Sequence, residues 1–310
     1  MNFANRIVAV FGPTAVGKTE AAIFAAREMN SEIISVDSRQ IYRGMDIGTA
    51  KPTPQQRAQV PHHLIDVADP ERPWSLVDYC QAALDAIRDI HARQRLPMLV
   101  GGTGQYFAAI LEGWRPPPKE NDPELRREFE AYAEEQGTQA LHARLQEIDP
   151  ISAQRIDHRN VRRVVRALEI SQISGVPASS IRKKATPKFD VLRIGLQTPR
   201  KQLYARIDAR IDAMIEAGFI EEVRTLLSQG VDSKNVAMSA IGYKQIAEHL
   251  QGKIALEEAI MQIRRLTRQF VRRQANWFKP DDPKIHWLDA SLDVGKEMVS
   301  LITAWCEGRD

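Results

Sequence analysis

Two spacings alternate along the chain. Short, largely apolar runs rich in β-branched residues stand at Ile7–Phe11, Glu32–Val36, Leu96–Val100 and Phe189–Leu196, each the length of a buried strand. Pro61–Val67 reads as a further strand. Between them the period is helical: Glu20–Met29 is rich in Ala, Glu and Arg, and Val77–Arg95 is amphipathic. Strand and helix in turn predict an α/β fold on a parallel sheet, and the glycine loop Gly12–Thr19 between the first strand and the first helix makes that core phosphate-loop NTPase-like. The proline run Trp114–Lys119 then breaks the pattern. From Asp122 to about Ala185 the period is helical throughout, interrupted at Asp149-Pro150 and Ser174–Pro177. The expectation is an all-helical insertion over 116–185, with 1–115 and 186–310 forming the core. Phe189–Leu196 returns the chain to the sheet, Arg200–Ser228 forms one or two long helices, and Arg264–Lys279 forms another.

Composition narrows the class. At 310 residues, 43% hydrophobic and 27% charged, the chain has room for more than one domain and reads as soluble. No apolar run is long enough to span a bilayer, and the N-terminus lacks the basic segment and cleavage site of a signal peptide. Cys80 and Cys306 alone give neither a thiolate zinc site nor a disulfide framework, so the cytoplasm is the expected compartment and a monomer the default state. A net charge of +3 does not by itself argue for nucleic acid; its distribution says more.

The strongest chemical signal lies where the first strand meets the first helix. Gly12-Pro13-Thr14-Ala15-Val16-Gly17-Lys18-Thr19 is a phosphate-loop pattern in the right setting. Backbone N–H groups at a helix start lack intrahelical partners and sit at the positive end of the dipole, so they favour phosphate. Lys18 adds a point charge, and the Thr19 hydroxyl is a ligand for Mg²⁺. This establishes a polyphosphate site, not ATP. Asp37 closes the second strand beside that loop, where ligands bind in open α/β sheets. It reads as a helix cap, as a partner of Mg²⁺-bound groups, or as a general base. The polar, glycine-punctuated Ile41–Pro52 reads as a binding loop. The glycines of Gly101-Gly102-Thr103-Gly104 allow a ligand to approach the backbone, and no acid closes that strand to hold Mg²⁺. His62 and His63, adjacent on a strand, point to opposite faces and are poor joint metal ligands.

Basic residues cluster further on. Arg159, Arg162, Arg163 and Arg166 share a helical face with few acids between Asp157 and Glu169, which favours phosphate binding over a solvated surface. Arg206 and Arg210 suit a diphosphate clamp or a solvent face equally. Arg264–Lys279 carries no acid and ends in Trp277-Phe278, aromatics that either pack inward or stack on bases.

Together these stretches resemble the bacterial tRNA dimethylallyltransferase family. The resemblance rests on the phosphate loop; Asp37-Ser38-x-Gln40-x-Tyr42-Arg43; Asp46–Pro52; His62-His63-Leu64-x-Asp66; Gly101-Gly102-Thr103-Gly104-x-Tyr106; Arg162-Arg163-x-x-Arg166-Ala167-Leu168-Glu169; Ala240–Gln245; and Thr267–Phe278. Val16 and Gln105 depart from the usual family residues. The resemblance implies transfer of a dimethylallyl group from dimethylallyl diphosphate to the N6 amine of the adenosine 3′ of the anticodon. It implies catalysis by Asp37, Thr103 and Lys18, with Mg²⁺ and the loop holding the departing diphosphate. Thr103 would contact the target adenosine and Ser38, Arg39 and Gln40 would hold a nucleotide that has left its stack. Arg162, Arg163, Val164, Val165, Arg166 and Arg126 would contact tRNA. The competing reading of the loop is a small-molecule kinase.

Overall fold

A computed structural model of the chain describes residues 3, 5–113, 122–181, 189–290 and 293–308. It holds two units, one of Met1–Trp74, Gln81–Phe107 and Lys188–Asp310, the other of Ser75–Cys80 and Ala108–Pro187. The expected boundaries at 115/116 and 185/186, and the Trp114–Lys119 run, lie outside the described residues.

The first unit is organised by β1 (Arg6–Phe11), in which Ile7, Val8, Ala9 and Val10 are wholly buried. Unbroken burial is what a central parallel strand requires, because helices cover both faces. The other strands are β2 (Ser31–Val36), β3 (His62–His63), β4 (Leu96–Gly101), β5 (Asp190–Gln197) and β6 (Ile285–Asp289). The sheet runs β3-β2-β4-β1-β5-β6, with every pairing parallel. Successive connections leave β1 toward β2 on one side and return to β5 on the other, so the carboxyl end of β1 lies at a switch point of the kind that binds ligands. The helix Lys18–Glu28 lies on this sheet through Ala21, Ala22, Ile23, Ala25 and Ala26.

Two expectations change, and one that left two alternatives is settled. The strand expected over Pro61–Val67 is only His62–His63, because Leu64 and Asp66 turn into the left-handed region at φ 61 and 58. Arg200–Ser228 is two helices, Arg200–Glu216 and Phe219–Ser228, divided at Gly218 with φ 96. The basic helix begins earlier, at Leu256, and ends at Ala275, before the aromatic pair. Strand β6 and the closing helix Val294–Glu307 were not anticipated. That helix packs on Lys18–Glu28, where a Cβ at Gly295 would stand 2.8 Å from Phe24.

The second unit holds helices Pro123–Gln136, Thr138–Ile148, Pro150–Arg155, Val161–Ser174 and Ala178–Ile181. Their core includes Leu125, Phe129, Leu141, Leu145, Val164 and Leu168. Asp122, Asp149 and Asn160 cap three of them by accepting from early backbone N–H groups. Among the described residues no helix is long and apolar enough to cross a membrane.

Candidate active site

The phosphate loop is shaped by its glycines. A Cβ on Gly12 would stand 2.5 Å from the Leu196 carbonyl, and Gly17 turns at φ 104 into the helix it precedes. Lys18 Nζ donates to the carbonyls of Gly12 at 3.0 Å and Pro13 at 2.7 Å. Burial, and after it the Arg210 guanidinium, push the Lys18 ammonium down to about 7, with the Asp37 carboxylate opposing them. Lys18, Thr19, Asp37, Gln40, Lys51 and Arg210 line one cavity of about 200 Å³. Arg210 thus faces the cavity while remaining exposed; desolvation lowers its pKa and Glu20 opposes the shift. Arg206 donates instead to Val16 O at 3.2 Å and Ala290 O at 3.4 Å, which braces the loop.

Asp37 follows β2 directly. Its Oδ1 accepts the Arg39 N–H at 2.8 Å, so one oxygen does the work of a turn cap. Among the described residues no partner is seen for the second oxygen. The Ser38 N–H donates to Thr103 Oγ1 at 3.2 Å, which leaves the Thr103 hydroxyl proton to donate elsewhere. Asp37, Ser38 and Thr103 are thus brought together.

The Arg39 and Gln40 side chains hold protein groups beside the cavity, which Gln40 also lines. The Arg39 guanidinium donates to Val236 O at 2.6 Å, Ala237 O at 3.4 Å and Ser239 Oγ at 3.2 Å. The Gln40 amide donates to Thr49 O at 3.4 Å and Ala50 O at 3.3 Å and accepts from Ser35 at 2.9 Å. Both side chains are spent on the loop beside the cavity. That loop is built around Glu222, whose carboxylate accepts the N–H groups of Asp46 at 2.9 Å, Ile47 at 2.7 Å and Gly48 at 3.1 Å and the Tyr243 hydroxyl at 2.6 Å. Lys51 Nζ is held by Asp46 and Asp66, each at 2.5 Å, and by Tyr42 O at 2.9 Å.

The Gly101–Gly104 turn also differs from expectation, since protein rather than ligand approaches its glycines. A Cβ on Gly101 would lie 2.1 Å from Val36 O, on Gly102 2.2 Å from Gln274 Nε2, and on Gly104 2.1 Å from Trp277 Cγ. The same crowding explains why no acid closes β4. Gln274, missed by the sequence reading, is buried; its Oε1 accepts the Thr14 N–H at 3.0 Å and its Nε2 donates to Gly102 O at 3.1 Å. Phe278 packs inward, stacked on Phe11 with centroids 4.2 Å apart, whereas Trp277 is 46% exposed. Arg264 and Arg268 pair with Asp212 and Asp208 at 2.5 Å on the neighbouring helix, so they are not free to meet phosphate.

In the helical unit, Arg162 and Arg163 are exposed at the start of Val161–Ser174. Arg159 lies before that helix and pairs with Asp157 at 2.6 Å, so it does not share the face. Val164 and Val165 are 0% and 1% exposed; their side chains belong to the core and cannot touch tRNA. Arg126 and Arg166 each reach the buried Glu169 at 2.8 Å. Burial opposes ionisation of Glu169, but the hydrogen bonds from Arg126 and Arg166 prevail and hold its pKa below the ordinary range.

The family model described as IPP transferase matches residues 40–281, and one described as isopentenyl transferase matches residues 5–65. A tRNA dimethylallyltransferase of Chloroflexus aurantiacus is 52% identical over 88% of this chain and 92% of its own. One from a Roseiflexus species is 47% identical over 97% and 99%. Among solved structures, the tRNA isopentenylpyrophosphate transferase of Bacillus halodurans is 40% identical with a TM-score of 0.72, covering 98% of this chain and 96% of that one. A eukaryotic dimethylallyltransferase described as acting on tRNA is 27% identical with a TM-score of 0.82, covering 99% and 80%.

Proposed function

The chain belongs to the IPP transferase family and transfers a dimethylallyl group to tRNA, and from that premise we propose the finer reading: dimethylallyl diphosphate is the donor, and the acceptor is the N6 amine of the adenosine 3′ of the anticodon in tRNAs reading codons that begin with U. One observation carries it. A single cavity holds the phosphate-loop ammonium and hydroxyl of Lys18 and Thr19 together with the Asp37 carboxylate. An adenine amine is a weak nucleophile because its lone pair is delocalised into the ring. Asp37, fixed by one oxygen, accepts hydrogen from that amine through the other as the C–N bond forms. The allylic C–O bond breaks, and the negative charge that grows on the diphosphate is met by the loop N–H groups, Lys18 and Arg210. Thr103 positions the base through its remaining hydroxyl proton.

Thr19 presents a hard oxygen donor to the same cavity, which suits Mg²⁺ once diphosphate oxygens join it. Bound there, the ion would add positive charge beside the leaving group. Arg162 and Arg163, with Arg126 and Arg166 held by Glu169, supply contacts to the tRNA backbone. The kinase reading has no counterpart among the relatives named above.

The test uses unmodified tRNA, Mg²⁺ and labelled dimethylallyl diphosphate. Label enters tRNA with the native protein, and Asp37→Asn, which keeps an acceptor for the Arg39 N–H, lowers kcat by about 10²–10⁴-fold at nearly unchanged tRNA affinity. ATP-dependent phosphorylation of a metabolite with no label in tRNA would overturn the reading.

A further inference from the structure

The Leu256–Ala275 helix carries a group that the reaction as described above does not use. Gln274 is 5% exposed and makes two hydrogen bonds to backbone rather than to side chains. Its carboxamide oxygen takes the N–H of Thr14 inside the phosphate loop, and its nitrogen gives to the carbonyl of Gly102. The next residue is Thr103, whose hydroxyl holds the N–H of Ser38, adjacent to Asp37. The contacts thus join the phosphate loop, the Gly101–Gly104 turn and the Asp37–Ser38 segment, and Gln274 is the one side chain in that series that comes from outside all three. A Cβ on Gly102 would stand 2.2 Å from the Gln274 nitrogen, so this close approach is one that glycine permits.

We propose that Gln274 is a positioning residue for prenyl transfer: its carboxamide ties the phosphate loop to the Gly101–Gly104 turn and so sets the distance between the bound diphosphate and the Asp37–Thr103 pair. This rests on the transfer reaction proposed above. A displacement transfer needs its donor carbon and acceptor nitrogen held at near-contact distance, and a small misplacement of either is costly. A carboxamide meets the need, since one end accepts, the other donates, and both partners are backbone groups that cannot change.

The test is a cycle of Gln274→Met, Thr103→Val and the double variant, with kcat and KM for dimethylallyl diphosphate measured at saturating tRNA and at a temperature where each variant is folded. Gln274→Met keeps the volume and removes both hydrogen bonds. Its kcat falls by about tenfold to a hundredfold, while tRNA affinity stays within about twofold. Because Gln274 acts through Thr103, the double variant falls no more than about threefold below the worse single variant. A Gln274→Met protein with native kcat, or a double loss equal to the product of the single losses, overturns the proposal. Where Gln274→Met does not fold, Gln274→Glu takes its place in the cycle, since it keeps the volume and an acceptor for the Thr14 N–H. A native protein that puts no label into tRNA refutes the transfer reaction itself, an outcome distinct from native transfer that Gln274 does not affect.

Discussion

Lys18 is held by two carbonyls of its own loop, at 3.0 and 2.7 Å, and its pKa lies at about 7. Burial is the main cause and Arg210 the second. A bound diphosphate favours the ammonium over the amine, so the pKa with donor present is higher than without it. Binding therefore takes up a proton at pH values between the two. The sign follows: affinity for the donor is full below about 7 and falls as pH rises above it, by up to about tenfold per pH unit. The diphosphate has its own ionisation, which a comparison removes. Lys18→Arg keeps its charge throughout, so the ratio of native to variant KM for dimethylallyl diphosphate rises between pH 7 and pH 8.5. A constant ratio would mean that Lys18 is already charged in the free protein.

Elements that bury both faces announce themselves in sequence, and those held by distant partners do not. The runs that became β1, β2, β4 and β5 were legible because a central parallel strand must be apolar on both sides. The edge strand β6 is half exposed, and its Ile285-His286-Trp287-Leu288-Asp289 carries no such mark. The same division applies at the candidate site. The phosphate loop is local, a strand, a turn and a helix start, and was readable as such. The Asp46–Gly48 turn looked like a loop for ligand because its organiser, Glu222, lies 174 to 176 positions away. The glycines of the β4 turn likewise face Val36, Gln274 and Trp277, which no local pattern reveals. The role of Glu222 has a direct consequence. Glu222→Gln replaces an oxygen that accepts by an NH₂ that cannot, leaving at least one loop N–H facing a donor. The expected cost is about 1–3 kcal/mol in unfolding free energy, with faster hydrogen exchange at Asp46, Ile47 and Gly48 than at the amides of β1. Unaltered exchange at those three amides would remove Glu222 as the organiser of the turn.

For the molecule as a whole, a net charge of +3 says little about tRNA, because the cations that count are those left unpaired at the surface. The structure sorts them. Arg264 and Arg268 are bound to Asp212 and Asp208 respectively, Arg159 to Asp157, and Arg206 to backbone carbonyls. Arg162 and Arg163 stand exposed, and Arg126 and Arg166 are held side by side by one buried carboxylate. Three substitutions along one helix then separate three effects. Arg163→Ala weakens tRNA binding and lowers the slope of log affinity against log salt by about one, with no loss of folding stability. Val164→Ala opens a cavity in the core, costs about 1–3 kcal/mol in stability and leaves the salt slope alone. Arg166→Ala does both, because it removes a cation and leaves Glu169 with Arg126 as its one remaining ion-pair partner among the described residues. At saturating tRNA and low salt, kcat for Arg163→Ala returns to the native value, as the proposed role of the residue in binding the polymer rather than in the displacement requires. An unchanged salt slope in Arg163→Ala would place the polymer on another surface. A kcat that stays low at saturation would instead draw that arginine into the chemical step.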